Sequence, residues 1–179
     1  DIRTAMSLSL DRESFVKILS EGQATIGGAM LPLPEGEWGM PPDVVAGLPG
    51  YGKNVEESRE QGRKIMEKLG YGPNNRLKVK VSTRDFNTFR DPAVILVDQL
   101  NKINFDAELE VIESSIWYNR LFKKDYGVAL NLAGAGIDDP DGVLKMGFQC
   151  NSDANYSRYC NPEIDKMLNQ QSREIDPLK

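Results

Sequence analysis

Apolar positions along this chain follow two periods, and the two take turns. From Ile2 to Leu19 the spacing is helical, in two pieces: Ala5, Met6, Leu8 and Leu10 form one apolar set, and Phe15, Val16, Ile18 and Leu19 the next. Asp11, between them, has the short carboxylate that accepts free N–H groups of a first helical turn, and it predicts an N-cap; Gly22 predicts the C′ stop. Asn54 caps a further helix running to about Leu69, closed by Gly70 and a Gly72-Pro73 turn. Period two then takes over, with Leu77, Val79 and Val81 alternating with Arg76, Lys78 and Lys80, as in a strand with one wet face. Asp91-Pro92 predicts a helix start, N-cap followed by proline at N1, for a helix carrying Val94, Ile95, Val97, Leu100 and Ile103. Ala107, Leu109 and Val111 mark a second strand, and Ser114 or Ser115 caps a helix with Ile116, Trp117, Leu121 and Phe122. Val128, Leu130 and Leu132, with the small Ala129 among them, mark a third strand. Asn161-Pro162-Glu163 opens a last helix with Ile164, Met167 and Leu168.

The order is therefore helix, strand, helix, strand, helix, strand, helix. Strands separated by helical crossovers give an α/β class with a parallel or mixed, mostly parallel sheet and helices on both faces. A chain of 179 residues has room for one substantial core, so residues 1–179 are expected to form a single lobe. One stretch breaks the pattern. Residues 24–53 interleave Pro32, Pro34, Pro41, Pro42 and Pro49 with seven glycines from Gly27 to Gly52, and no period survives. Met30, Leu31, Trp38 and Met40 within it suggest a long loop packed over a surface, since a structureless run of this length is otherwise a linker or a functional segment. The chain opens at Asp1-Ile2-Arg3 already inside a helical pattern, and Asp176-Pro177 reads as the start of another helix. A piece of something longer is expected.

Composition changes the picture mainly by exclusion. A net charge of −5 argues against nucleic acid and anionic membrane surfaces as partners. The chain has no histidine, so neither a serine nor a cysteine has an imidazole to activate it, and Cys150 with Cys160 is too small a ligand set for zinc. These two cysteines lie in a segment rich in Asn, Ser and Tyr. In a secreted protein they would form a disulfide worth roughly 2–3 kcal/mol, and in a cytosolic one they would be free thiols. The densest candidate chemistry is Ala133-Gly134-Ala135-Gly136-Ile137-Asp138-Asp139-Pro140-Asp141, directly after the third strand, where ligands gather in open α/β sheets. Three readings stand: a turn followed by a helix cap, backbone lining a ligand, or acids that chelate a cation or do acid–base work. The glycines fit neither phosphate-binding fingerprint. Trp117 reads as core, whereas Trp38 in the Pro/Gly loop is free to stack on a ligand. The ligand-lining candidates are Trp38, Asn131, Gly134, Gly136, Asp138 and Asp139.

Several segments together resemble the family 5 extracellular solute-binding proteins, which serve dipeptide, oligopeptide and nickel ABC importers. The run Ile2 to Arg12, with Arg3, Ala5, Asp11 and Arg12 in the family's order, resembles the helix pair through which these proteins enter their second lobe. The helix ending Lys68-Leu69-Gly70-Tyr71, the run from Asp125-Tyr126 through the third strand to Asp139-Pro140, and Tyr156 through Asp165 with Asn161-Pro162-Glu163-Ile164-Asp165 resemble further family elements. The matches keep their order over nearly the whole chain. They imply a periplasmic-binding-protein-like (type II) lobe, most of the C-terminal lobe of a two-lobed protein, which captures a peptide or similar small solute in an interlobe cleft. They also imply a periplasmic or extracellular location, with or without a lipid anchor, a membrane ABC permease as partner, no cofactor and a monomeric chain. In peptide-binding members an Asp three residues before the "D-P" pair holds the peptide's amino group, with a Trp three residues earlier. Those places here are Gly136 and Ala133, so neither side chain is supplied.

Two other functions compete with this reading. One is a protein-interaction domain using the Pro/Gly-rich loop. The other is a metal or carboxylate enzyme built on Asp138, Asp139 and Asp141, for which the chain offers no histidine and no partner nucleophile.

Overall fold

Three strands carry the period-two segments: β1 (Leu77–Arg84), β2 (Phe105–Ile112) and β3 (Val128–Leu130). The computed structural model, which describes residues 1–134 and 136–175, joins them in one sheet ordered β2-β1-β3, with both pairings parallel. Leu77 lies opposite Phe105, Arg84 opposite Ile112, and Val81 opposite Val128. Being central, β1 buries Val81, Ser82 and Thr83 completely or nearly so. Both hydroxyls find partners, as buried polar groups must. Ser82 donates to Glu110 Oε2 at 2.6 Å, and Thr83 Oγ1 sits 3.1 Å from the Phe89 carbonyl and 3.2 Å from that of Leu130. The alternation in β2 slips at its end, where Val111 is exposed and Ile112 is buried.

Helices α1 (Ile2–Ser9), α2 (Arg12–Ser20), α3 (Pro42–Ala46), α4 (Val55–Lys68), α5 (Asn87–Asn101) and α6 (Ser114–Lys123) precede the third strand, and α7 (Met146–Phe148) and α8 (Pro162–Gln171) follow it. Helix α5 packs on all three strands and α1 packs on α4. Their shared core is Ala5, Met66, Val81, Ala93, Leu100, Ile103, Phe105 and Ala107. On the other face of β1 and β2, Lys78, Lys80, Asp106 and Glu108 are exposed, with Lys80 Nζ 3.5 Å from Glu110. The sheet is thus parallel throughout among the described residues, and its open face is lined with charges of both signs.

Caps mark several of the boundaries read from the sequence. The Asp11 carboxylate accepts the Ser14 N–H at 3.1 Å, Asn54 accepts that of Glu57, and Asn161 accepts that of Glu163. Other boundaries fall elsewhere, each for a physical reason. Asp91-Pro92 does not open α5. The helix begins at Asn87 behind Phe86, whose carbonyl accepts from Phe89 and Arg90, and Pro92 lies inside it. Proline in the sixth helical position forfeits one backbone bond, but the extra turn buries Phe89 together with Pro92 and Ala93. Ser114 and Ser115 do not cap α6 themselves; the Glu113 carboxylate accepts the Ser115 N–H at 3.1 Å and its hydroxyl as well. Residues 24–53 are not structureless, because Pro42 at the first position and Asp43 in the first turn start the short α3. The left-handed turn after α2 begins at Glu21 (φ 53°) and continues through Gly22 (φ 86°). The helix start expected at Asp176-Pro177 lies outside the described residues.

Contacts divide the chain into two compact units. The first comprises Asp1–Ile26, Pro41–Tyr118 and Tyr126–Leu132, and so contains the sheet. In it Arg12 holds the 49–51 loop: its guanidinium donates to the Gly50 carbonyl at 2.6 Å and lies 3.6 Å over the Tyr51 ring, while the Ser7 hydroxyl donates to the Pro49 carbonyl at 2.7 Å. Gly50 has φ 81°, and a Cβ there would run into the Ser7 carbonyl, so only glycine fits. The second unit comprises Gly27–Met40, residues 119–125 and the chain from Ala133 onward. A π-helical turn, Asp141–Lys145, leads there into α7. Cys150 and Cys160 are joined in a disulfide. Inside the loop it closes, the fully buried Asn155 donates to the Gln149 and Tyr159 carbonyls at 2.9 and 2.6 Å and accepts from the Ser157 hydroxyl. The Asp165 carboxylate of α8 accepts the Cys150 N–H at 3.2 Å.

The junction of α1 and α2 is clamped by the buried Gln99, whose Oε1 accepts the Asp11 N–H at 2.8 Å and whose Nε2 donates to the Asp11 carbonyl at 3.2 Å. Gln99→Met keeps the apolar volume and removes both bonds. It is expected to lower stability in urea unfolding by about 2–3 kcal/mol, the cost of stranding two partly buried backbone groups. Asp11 also sets a pH dependence. Burial by itself would push its carboxyl up, but the Ser14 hydroxyl and N–H, with Arg59 and Lys102 nearby, outweigh burial and hold it below the ordinary value. Its folded-state pKa is therefore lower than its unfolded one. The associated stability is present above the unfolded pKa and is lost as the pH falls through the folded one. Asp11→Asn keeps the cap acceptor without the charge. Its stability deficit at neutral pH should shrink to nothing in acid, read from denaturation midpoints of both proteins across that range.

Candidate functional site

In the first unit, parallel pairing brings the carboxyl ends of the strands to one edge of the sheet, the position at which open α/β sheets bind ligands. Arg84 is the last residue of β1 there. Its Nε donates to the Ser114 hydroxyl at 3.0 Å, across the end of β2, and Ser114 also reaches the Asp85 carbonyl. The guanidinium carbon lies 5.7 Å from the Tyr118 ring centroid, 5.6 Å from that of Phe89 and 6.0 Å from that of Phe86. Phe86 and Tyr118 are exposed, at 58% and 43%. Among the described residues no carboxylate forms an ion pair with Arg84; the nearby Asp85 pairs with Arg90 at 3.7 Å. A half-buried guanidinium held at one end by a hydroxyl and walled by aromatic rings suits a planar anion such as a carboxylate. The Glu113 carboxyl is held below its ordinary value by the Ser115 hydroxyl and N–H, so its charge is committed to the start of α6.

Asn131, a ligand-lining candidate, also lies in this unit. Its Oδ1 accepts the indole N–H of Trp117 at 3.2 Å, and Trp117 is fully buried, in keeping with its place in the apolar pattern. The carbonyl end of Asn131 therefore serves the core.

The remaining candidates lie in the second unit, where the structure brings two of the segments together. Asp138 Oδ2 accepts the backbone N–H of Glu37 at 2.7 Å, which sets the turn carrying Trp38 beside Asp138 and Asp139 across 101 residues of sequence. Trp38 is 47% exposed. Asp139 Oδ1 accepts the Asp141 N–H at 2.8 Å, and Asp141 accepts the Ser172 hydroxyl at 2.5 Å and lies 3.7 Å from Lys145. The three acids thus turn to three different partners, and no three Cys, Asp or Glu side chains converge on a metal position among the described residues. Gly134 and Gly136 are exposed, and a Cβ at either would meet nothing within 4 Å among the described residues.

Arg84 is not among the sequence-derived candidates. Alternation marks the strand only as far as Val81, and the next helix signal begins at Asp91, so residues 84–86 read as ordinary loop. The signal that could have found the site is the pair of aromatic residues, Phe86 and Phe89, directly after the strand.

Comparison with known proteins places the chain. Over 183 residues it is 27% identical to the oligopeptide-binding protein OppA of Bacillus subtilis, covering all of this chain and 32% of that protein. To the periplasmic murein peptide-binding protein MppA of Escherichia coli it is 24% identical, covering 97% of this chain and 31% of the relative. Among solved structures, Haemophilus influenzae OppA in complex with RPPGFSPFR superposes with a TM-score of 0.80 at 24% identity, covering 98% of this chain and 34% of that one. The chain spans about a third of the length of the curated relatives it matches. A family model matches residues 1–155, and by that match the chain belongs to the bacterial extracellular solute-binding proteins, family 5, in their middle region.

Proposed function

We propose that this chain is most of one lobe of a two-lobed, extracytoplasmic solute-binding protein, which captures a peptide or similar small solute and delivers it to a membrane ABC permease. The observation that carries this reading is Arg84, a guanidinium with no acid partner among the described residues, set between exposed aromatic rings at the carboxyl edge of a parallel sheet. Such a group selects a solute with a free carboxylate, and a peptide has one. Relatives named for oligopeptide and murein-peptide binding support the same class. Binding, with no catalytic step, accounts for Asp138 and Asp139 carboxylates that each accept a backbone N–H. Capture would work by hinge closure, the solute favouring the closed state because it touches both lobes there. A periplasmic or extracellular location agrees with the disulfide. No helix among the described residues is long and apolar enough to cross a membrane.

In the full-length protein, Arg84→Ala should weaken a tripeptide with a free terminal carboxylate by about 10- to 100-fold, the range for losing a charged hydrogen-bond partner. The C-terminally amidated tripeptide should change by no more than about twofold. Calorimetric titration of both ligands against both proteins is the measurement, and equal losses would remove the carboxylate from Arg84. Gly136→Asp is a separate test, made within the second unit. The open space around Gly136 predicts normal folding with an unchanged melting temperature. The new carboxylate should raise affinity for free-amine peptides by about tenfold and leave N-acetylated ones unaffected, since a buried ammonium requires a partner.

A further inference from the structure

We propose that Asp138 is a positioning residue that fixes the Trp38 turn, its carboxylate committed to this chain's own backbone and not to a cationic group on a solute. This rests on the reading of the chain as a binder, and adds how the exposed ring of Trp38 is held. Three observations converge on the turn. Its external tie is the Glu37 N–H, which donates to Asp138 Oδ2 at 2.7 Å. Carboxylate acceptors make the stronger class of backbone hydrogen bond. Gly36 then allows the carboxylate to come close: a Cβ there would lie 3.0 Å from Asp138 Oδ1 and 2.8 Å from both the Leu31 carbonyl oxygen and its Cβ. The turn is also closed on itself. The N–H groups of Glu35 and Gly36 both donate to the Pro32 carbonyl, at 3.0 and 3.1 Å, and a Cβ at Gly39 would sit 2.5 Å from the Leu31 carbonyl oxygen. Residues 31–39 therefore form a tight body, and Trp38, next to the tied residue, presents its ring on a pre-ordered support. An aromatic surface fixed before contact gives up less freedom on binding than one on a free loop.

This role needs a hydrogen-bond acceptor at position 138 and does not need a charge. Asp138→Asn keeps an acceptor oxygen, whereas Asp138→Ala removes it. An anchor for a ligand's ammonium would fail in both. Gly36→Ala leaves Asp138 in the sequence but crowds the same contact from the turn side, against Asp138 Oδ1 and Leu31.

The test is fluorine NMR of the full-length protein labelled with 5-fluorotryptophan, the Trp38 signal being the one missing from Trp38→Phe. The Trp117 signal reports on the core in every variant. In Asp138→Asn the Trp38 resonance should stay where it is in the parent protein. In Asp138→Ala and Gly36→Ala it should move towards the free-chain position, with the tied-to-untied ratio falling about fivefold, while Trp117 does not move. A Trp38 resonance unchanged in Asp138→Ala, or an Asn variant that behaves as the Ala variant does, would overturn the assignment. Titration with an equimolar mixture of tri- to pentapeptides supplies the second readout. Asp138→Ala should weaken binding by no more than Trp38→Ala does, and the double variant should be no worse than Trp38→Ala alone. Failure of the parent protein to bind these peptides would defeat the proposed function, and the fluorine signals would still decide the tie.

Discussion

The central strand has to be paired on both sides, and the first unit is arranged around that requirement. β1 meets β2 along eight residues and β3 along three, and its middle is sealed from water. A sealed strand is easily built from valine and isoleucine, yet β1 carries Ser82 and Thr83 at its most buried point. Each hydroxyl then has to be met by a neighbour, and the neighbours are a β2 side chain and two carbonyls, one at the start of α5 and one at the end of β3. Pairing and polar satisfaction thus fix the same three elements against each other. Parallel strands need helical crossovers, which return the chain to the same starting edge each time. The opposite edge collects the strand ends, and Arg84, Ser114 and Asn131 arrive there together. The site in this unit follows from how β1 is accommodated.

The residues that make this chain resemble its family are mostly structural. Asp11 caps α2 and is gripped by Gln99, Arg12 ties down the 49–51 loop, Asn161 caps α8, and Asp165 holds the Cys150 N–H. Each of them satisfies backbone groups that would otherwise be stranded at a helix end or a turn. Such residues are tied to local geometry, so they keep their order along the chain and identify the fold. They carry no information about a solute. Family membership is therefore far easier to read than a ligand.

The same division explains what is legible in the sequence. Helices α2 and α8 can be read because cap and apolar period agree at each, α1 from its apolar period and α4 from its Asn54 cap and Gly70 stop. The strands can be read from alternation, although only three residues of the third are paired in the sheet. Reading fails where burial overrides a local rule. Asp91-Pro92 has the chemistry of a helix start, but Phe89 upstream is worth burying, and the helix reaches back to Asn87 at the expense of one hydrogen bond. The serines at 114 and 115 have the chemistry of caps, but the Glu113 carboxylate takes the Ser115 donors and the Ser114 hydroxyl turns to Arg84 and the Asp85 carbonyl. Contacts over long sequence distances are out of reach altogether. No period or spacing joins Glu37 to Asp138, and nothing in the local pattern shows that Asn131 faces Trp117.

What remains free after this accounting bears on solute class. Asp138, Asp139 and Asp141, the obvious acids, are each engaged by a donor of this chain, and position 136 offers only backbone. These three acids are therefore not free to meet a cationic group. In the first unit the situation is reversed, since Arg84 keeps a guanidinium with no acid partner among the described residues, in a chain of net charge −5. An excess of acids elsewhere on the surface repels an anion at long range, but salt screens that repulsion within about 10 Å, whereas a half-buried guanidinium acts at contact. At short range the Arg84 guanidinium thus suits a carboxylate-bearing group.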